Sequence, residues 1–152
     1  MKKVKSQSGR SMVEMLGVLA IIGVLSVGGI AGYSLSMRRH RANGVVDLAA
    51  KYALVNYGIC QQKIMDGTIS DVTGCASMIS FDDAGIGNIP AGVTGLFPET
   101  FKTNLSTGVD TVPIYIGFKD QKICQAVASI AGSSCTGNGS SSYNTKINFN
   151  QN

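Results

Sequence analysis

The side chains with the most chemical potential in this chain are few and widely spaced. Four cysteines, Cys60, Cys75, Cys124 and Cys135, occur without a CxxC pair, and the only histidine is His40. Zinc needs closely spaced thiolate or imidazole ligands, so this set predicts disulfides and no metal site. Four cysteines allow three pairings, and all three are open at this point. Serines are plentiful, but a serine nucleophile needs a base. His40 lies beside a long apolar run, away from the serine-rich segments, so no catalytic set and no enzyme are expected. Asp82, Asp83 and Asn88 offer oxygens without the order of an EF-hand loop, which predicts a turn in place of a calcium site. Gly85, Gly87 and Gly92 do not complete a GxGxxG run and no phosphate-loop lysine follows, so no cofactor is expected. One ionisable residue stands out by its surroundings. Glu14 sits among Met12, Val13, Met15 and Leu16, five positions beyond Gly9.

The elements that carry these residues follow from charge and periodicity. Lys2, Lys3, Lys5 and Arg10 make the first ten residues basic without any acid, and the 23 residues from Met15 to Met37 carry no charge. At about 1.5 Å per residue a helix of that length rises roughly 35 Å, enough to cross a hydrocarbon core of about 30 Å with some tilt. Arg38, Arg39 and Arg41 close the run, and basic residues at both ends of an apolar helix suit lipid headgroups. The N-terminal lysines favour a cytoplasmic N-terminus, which places everything after Arg41 on the far side, where disulfides form. The net charge of +4 arises mostly from these two clusters, and the near-neutral remainder predicts no nucleic-acid partner.

Beyond the arginines, Val45, Leu48, Tyr52, Val55 and Ile59 recur at steps of three and four, with Asp47, Lys51 and Asn56 falling away from that stripe. One long helix is expected from about Ser11 to about Lys63, with Asn43-Gly44 and the glycines at 17, 23, 28, 29 and 32 as weak points. From Asp66 onward Gly, Ser, Thr, Asn and Asp separate short apolar runs. Thr111 to Phe118 alternates as a strand that Pro113 would move toward an edge. Asp120 can cap a short helix with Ile123, Val127 and Ile130 on one face and Gly132 at its end. Residues 132–142 are expected as a solvated loop, and Tyr143, Thr145, Ile147 and Phe149 as a last strand. The fold class is α+β, a long helix against a small antiparallel sheet.

The segment Gly9-Arg10-Ser11-Met12-Val13-Glu14-Met15-Leu16, following a short basic leader and opening an apolar helix, resembles the class III signal of type IV prepilins. The stretch SMVEMLGVLAIIGVLSVGGIAGYS is most similar to the type IVb branch and its PilS-like pilins. The resemblance implies a leader at 1–9, a filament-core helix half at 10–41 and a globular head at 42–152. It implies cleavage after Gly9 by a prepilin peptidase, methylation of the new amino group on Arg10, and an assembly role for Glu14. The precursor would reside in the inner membrane, and an assembly platform there would pass it into a homo-oligomeric helical filament outside the cell. Similar pilins close their C-terminal region with a disulfide, which implies Cys124 with Cys135 and leaves Cys60 with Cys75. Arg10 stands where such pilins more often carry an apolar residue, and no proline precedes Pro90.

A carboxylate among apolar side chains costs about 2.5–3.5 kcal/mol at a helix centre on insertion scales and less near an interface. It therefore calls for a cation, which the ammonium released by cleavage could supply from a neighbouring subunit. Three other readings stand beside the pilus subunit. In one, the first 31 residues are an ordinary signal peptide cut before Gly32, releasing a secreted adhesive protein. The others are a type II secretion pseudopilin and a membrane-anchored enzyme.

Overall fold

The computed structural model describes residues 8–76, 78–104, 107–137 and 142–151, with side chains from residue 12 onward. The leader expected at 1–9 lies outside this set up to residue 7. The order of elements is helix α1 (Ser8–Met65), strands β1 (Val93–Pro98), β2 (Lys102–Asn104) and β3 (Val109–Phe118), helix α2 (Gln121–Ala131), and strands β4 (Cys135–Gly137) and β5 (Tyr143–Gln151). The fold is α+β, with one long N-terminal helix packed on a small antiparallel sheet. Two compact units divide the chain, Met1–Met37 and Arg38–Asn152. Helix α1 runs unbroken through Asn43-Gly44 and through each of the other expected weak points.

In the second unit, α1 buries Ala42, Val45, Ala49, Tyr52, Ala53, Asn56 and Cys60. This stripe is rotated from the expected one: Leu48, Val55 and Ile59 lie at its margins, half-buried. Alanines on the centre line let the helix approach closely, and the larger side chains wedge in from the sides. Asn56, expected on the outer face, is wholly buried. Its Nδ2 donates to the Tyr52 carbonyl at 2.9 Å, and its Oδ1 accepts from Met78 N at 3.0 Å and Ile79 N at 3.3 Å. The Tyr52 hydroxyl donates to the Ile79 carbonyl at 2.7 Å. An amide reads as polar in any hydropathy pattern, yet here it caps backbone groups that no strand would satisfy. Asp47 and Lys51 do face outward, paired at 2.8 Å.

The sheet runs β1-β3-β5-β4, with β2 also pairing β3. Strand β3 is therefore central, contrary to the edge position that Pro113 suggested. β1 pairs with 114–118 and β2 with 109–111, both along one side of β3, while β5 pairs along the other. Pro113 falls in the gap between β1 and β2, and its carbonyl accepts from Glu99 N at 2.9 Å on that side. A residue in an antiparallel strand points its N–H and C=O the same way, so the donor that proline lacks would have faced that gap. Val112, Ile114, Ile116 and Phe118 are fully buried and join the α1 stripe in one core. Gly117 faces the other way, where a Cβ would meet Thr94 Oγ1 at 2.2 Å.

Helix α2 begins and ends as its sequence predicts. Asp120 Oδ1 accepts from Lys122 N at 2.7 Å, and Gly132 takes the left-handed conformation at φ 65°. Its buried face is Ile123, Cys124, Val127 and Ala128. Ile130, expected on that face, is 44% exposed. It lies about a quarter turn from the centre of the face once Cys124 is drawn inward. The expected loop at 132–142 contains β4. Thr145, buried at 2%, shares a hydroxyl bond with Ser133 at 2.8 Å and donates to the Ser134 carbonyl at 3.0 Å, which holds the approach to β4 against β5. Residues 138–141 of that expected loop lie outside the described set.

The clamp at Asn56 predicts a particular weakness. Asn56→Ala leaves the Met78 and Ile79 donors without an acceptor and should cost about 2–3 kcal/mol of stability. Leu54→Ala, one turn position away but 57% exposed, should stay within about 0.5 kcal/mol. Denaturant unfolding of the two variants in parallel checks the contrast.

Candidate functional site

The first unit presents apolar side chains with nothing over them. Met12, Val13, Leu16, Val24, Leu25 and Ile30 are each between 66% and 74% exposed, and the most apolar stretch of the helix has no buried residue. α1 is the one helix among the described residues long and apolar enough to cross a membrane, judged by length and composition. Two of its serines, Ser26 and Ser34, do not conflict with an apolar solvent. Ser26 Oγ donates to the Ile22 carbonyl at 2.7 Å and Ser34 Oγ to the Ala31 carbonyl at 2.9 Å, so both hydroxyls are satisfied on their own helix.

Glu14 is the exception. It is exposed on this apolar helix, and neither of the two ion pairs among the described residues includes it. Gly9 and Arg10 fall in the first turn of α1, and their side chains lie outside the described set. At the other end of the uncharged run, Arg39 and Arg41 are exposed and Arg38 half-buried.

The head carries the four cysteines as two disulfides. Cys60–Cys75, with Cα atoms 5.9 Å apart, ties the last turns of α1 to the 3-10 turn at Val72–Gly74, and Cys124–Cys135, at 5.8 Å, ties α2 to β4. The Cys75 carbonyl accepts from Phe101 N at 3.0 Å, so the first bridge also anchors the connection between β1 and β2. Asp82 and Asp83 lie in a turn: the Ser80 hydroxyl donates to Asp83 Oδ2 at 2.5 Å and accepts from Asp83 N at 3.2 Å. No group of three metal-ligating side chains occurs among the described residues.

One polar cluster on the outer face of the sheet was not among the expected sites. Lys146 on β5 stands opposite Tyr115 on β3, with its Nζ 5.1 Å from the centre of the ring, and forms an ion pair with Glu99. Hydrogen bonding to Lys146 lowers the Glu99 pKa, and the same bond raises that of Lys146. The signal that could have found it is the period of two, which puts Asn144, Lys146 and Asn148 on one face of β5. On the face of the sheet toward α1, Tyr57 donates to Asp110 Oδ2 at 2.8 Å and Thr103 donates to Asp110 Oδ1 at 2.8 Å, joining α1, β2 and β3 through one carboxylate. Burial, followed by the bond to Asp110, raises the Tyr57 pKa.

The two bridges differ in access, which predicts an order of reduction. Cys60, Cys75 and Cys124 are wholly buried, whereas Cys135 is partly exposed, so a thiol reductant should reach Cys124–Cys135 first. Stepwise reduction with alkylation and peptide mapping reads the order, and opening either loop should lower stability by about 3 kcal/mol in the chain-entropy model. No protein-family model, curated protein or solved structure matches this chain, so what the site does is argued from its own residues.

Proposed function

We propose that this chain is the precursor of a type IV pilin-like subunit, most similar to the type IVb branch. In this reading the apolar part of α1 holds it in the inner membrane, and the same helix later packs against copies of itself in an extracellular filament. The observation that carries the reading is Glu14, a carboxylate with no ion-pair partner among the described residues, on an uncovered apolar helix and five positions beyond Gly9. Lipid alone is a poor partner for that charge. A neighbouring copy, staggered by about one helical turn, would bring the ammonium of its processed Arg10 to Glu14 and so set the register of the filament.

The remaining features fit the same course. The apolar helix needs lipid or other apolar helices around it, because the first unit has nothing else to cover it. The head keeps its own core, two disulfides and a central strand, so it can stay folded while its helix changes surroundings. Adhesion, aggregation, mating and DNA transfer are the roles such a filament serves.

Two experiments test the reading. Gly9→Val should block processing, leaving a full-length precursor by mass, while the unaltered chain yields a product that begins at Arg10. A product beginning at Gly32 would instead support the secreted protein. Glu14→Ala should leave membrane levels and both disulfides unchanged but deplete the subunit from sheared filaments at least tenfold when mixed with unaltered subunits. Equal incorporation would remove Glu14 as the determinant of assembly.

A further inference from the structure

Arg38, Arg39 and Arg41 form the densest positive charge in the described chain, and no carboxylate among the described residues pairs with it. Neither of the two ion pairs among the described residues involves them, and Asp47, the acid nearest in sequence, is already bound to Lys51 at 2.8 Å. From residue 42 onward acids outnumber basic residues by eight to six, so the cationic character belongs to this segment and not to the head. The cluster starts at the residue where the uncharged run ends, Met37.

Its arrangement narrows the partner. Arg38, Arg39 and Arg41 share α1, and at about 100° per residue Arg38 lies between the other two, so the three span an arc of about 160°, an open collar at the end of the apolar run. Where the uncharged run crosses a bilayer, the anionic surface that lies at its end is the headgroup layer, and an acidic protein or a DNA duplex would have to displace it. Arginine stems can also lie back along the apolar run while their guanidinium groups stay at headgroup level. If Lys2, Lys3, Lys5 and Arg10 keep the N-terminus cytoplasmic, the collar lies on the exported face, where basic residues are ordinarily scarce and a compensating anion is needed.

We infer that Arg38, Arg39 and Arg41 form a collar that binds anionic phospholipid headgroups of the outer leaflet and holds the helix at a fixed depth. The inference rests on the membrane-anchored part of the proposed function and not on filament assembly. Three guanidinium groups near an anionic surface, each strengthening binding several-fold, should together favour phosphatidylglycerol over phosphatidylcholine by about a hundredfold. Extracting the subunit would break these contacts, so the anionic lipid content of the membrane would set how readily subunits leave it.

The test uses the full chain in neutral detergent, titrated with phosphatidylglycerol or phosphatidylcholine, with retained lipid counted by native mass spectrometry. Phosphatidylglycerol should be retained preferentially, and raising the salt should erase the preference without any substitution. Combined Arg38→Gln, Arg39→Gln and Arg41→Gln should lose the preference about a hundredfold with both disulfides intact. The corresponding three lysine substitutions should keep most of it, and Lys2→Gln, Lys3→Gln and Lys5→Gln together should leave it unchanged. Equal retention of the two lipids, a preference indifferent to salt or to the glutamines, or its loss in the leader variant would overturn the inference. So would displacement of the lipid by a short DNA duplex at comparable concentration, which would make the collar a general polyanion site. None of these outcomes bears on Glu14, so the filament reading stands or falls separately.

Discussion

A helix with one uncovered apolar portion and one amphipathic portion governs the rest of this structure. In α1 every internal backbone donor and acceptor is satisfied within the helix, which makes it the one kind of single segment that can enter hydrocarbon without exposing bare peptide groups. Its apolar portion therefore needs nothing from the head. Its later portion is amphipathic and supplies the wall on which the sheet is built. Between Met12 and Met37 the only charged side chain is Glu14, whereas charged and amide side chains are frequent from Arg38 onward.

Within the head, the difficulty is to hold a long, strand-poor connection against the helix. The described residues of 66–92 contain no strand, and the backbone groups of Met78 and Ile79 find partners on Asn56 and Tyr52 of α1. Cys60–Cys75 closes the start of the same connection, and the Cys75 carbonyl continues the tie to Phe101. A buried amide and a disulfide thus perform the task that strand pairing performs elsewhere in the domain. The sheet meets its own difficulty at Pro113 by placing the missing donor at the gap between two short strands.

In the proposed assembly, the charges on α1 have opposite consequences in membrane and filament. Glu14 is unfavourable in lipid and favourable beside another subunit's ammonium, so it biases the helix toward its own kind. The arginine collar is favourable at an anionic lipid surface and has no ion-pair partner among the described residues, so it biases the helix toward the membrane. Together they allow an apolar segment, for which lipid and neighbouring helices are nearly equivalent, to distinguish one from the other.

Much of the outline was legible in the residues themselves. A charge-free run of membrane length, the periodicity after it, the cap at Asp120 and the glycine at 132 are local signals, and local signals survive into the structure because they depend on backbone geometry within a turn or two. The buried Asn56, the central place of β3, the strand at 135–137 and the exposure of Ile130 were not legible. Each depends on what a residue meets from a distant part of the chain: the 78–79 backbone, the gap between β1 and β2, the hydroxyl of Thr145, and the inward pull of Cys124. Sequence alone determined which segments are apolar, charged or able to turn, since those are properties of side chains and neighbours. Only the tertiary structure decided which polar groups lie inside and which strand lies at the centre, because burial becomes tolerable for a polar group only once a distant partner has come within hydrogen-bonding reach.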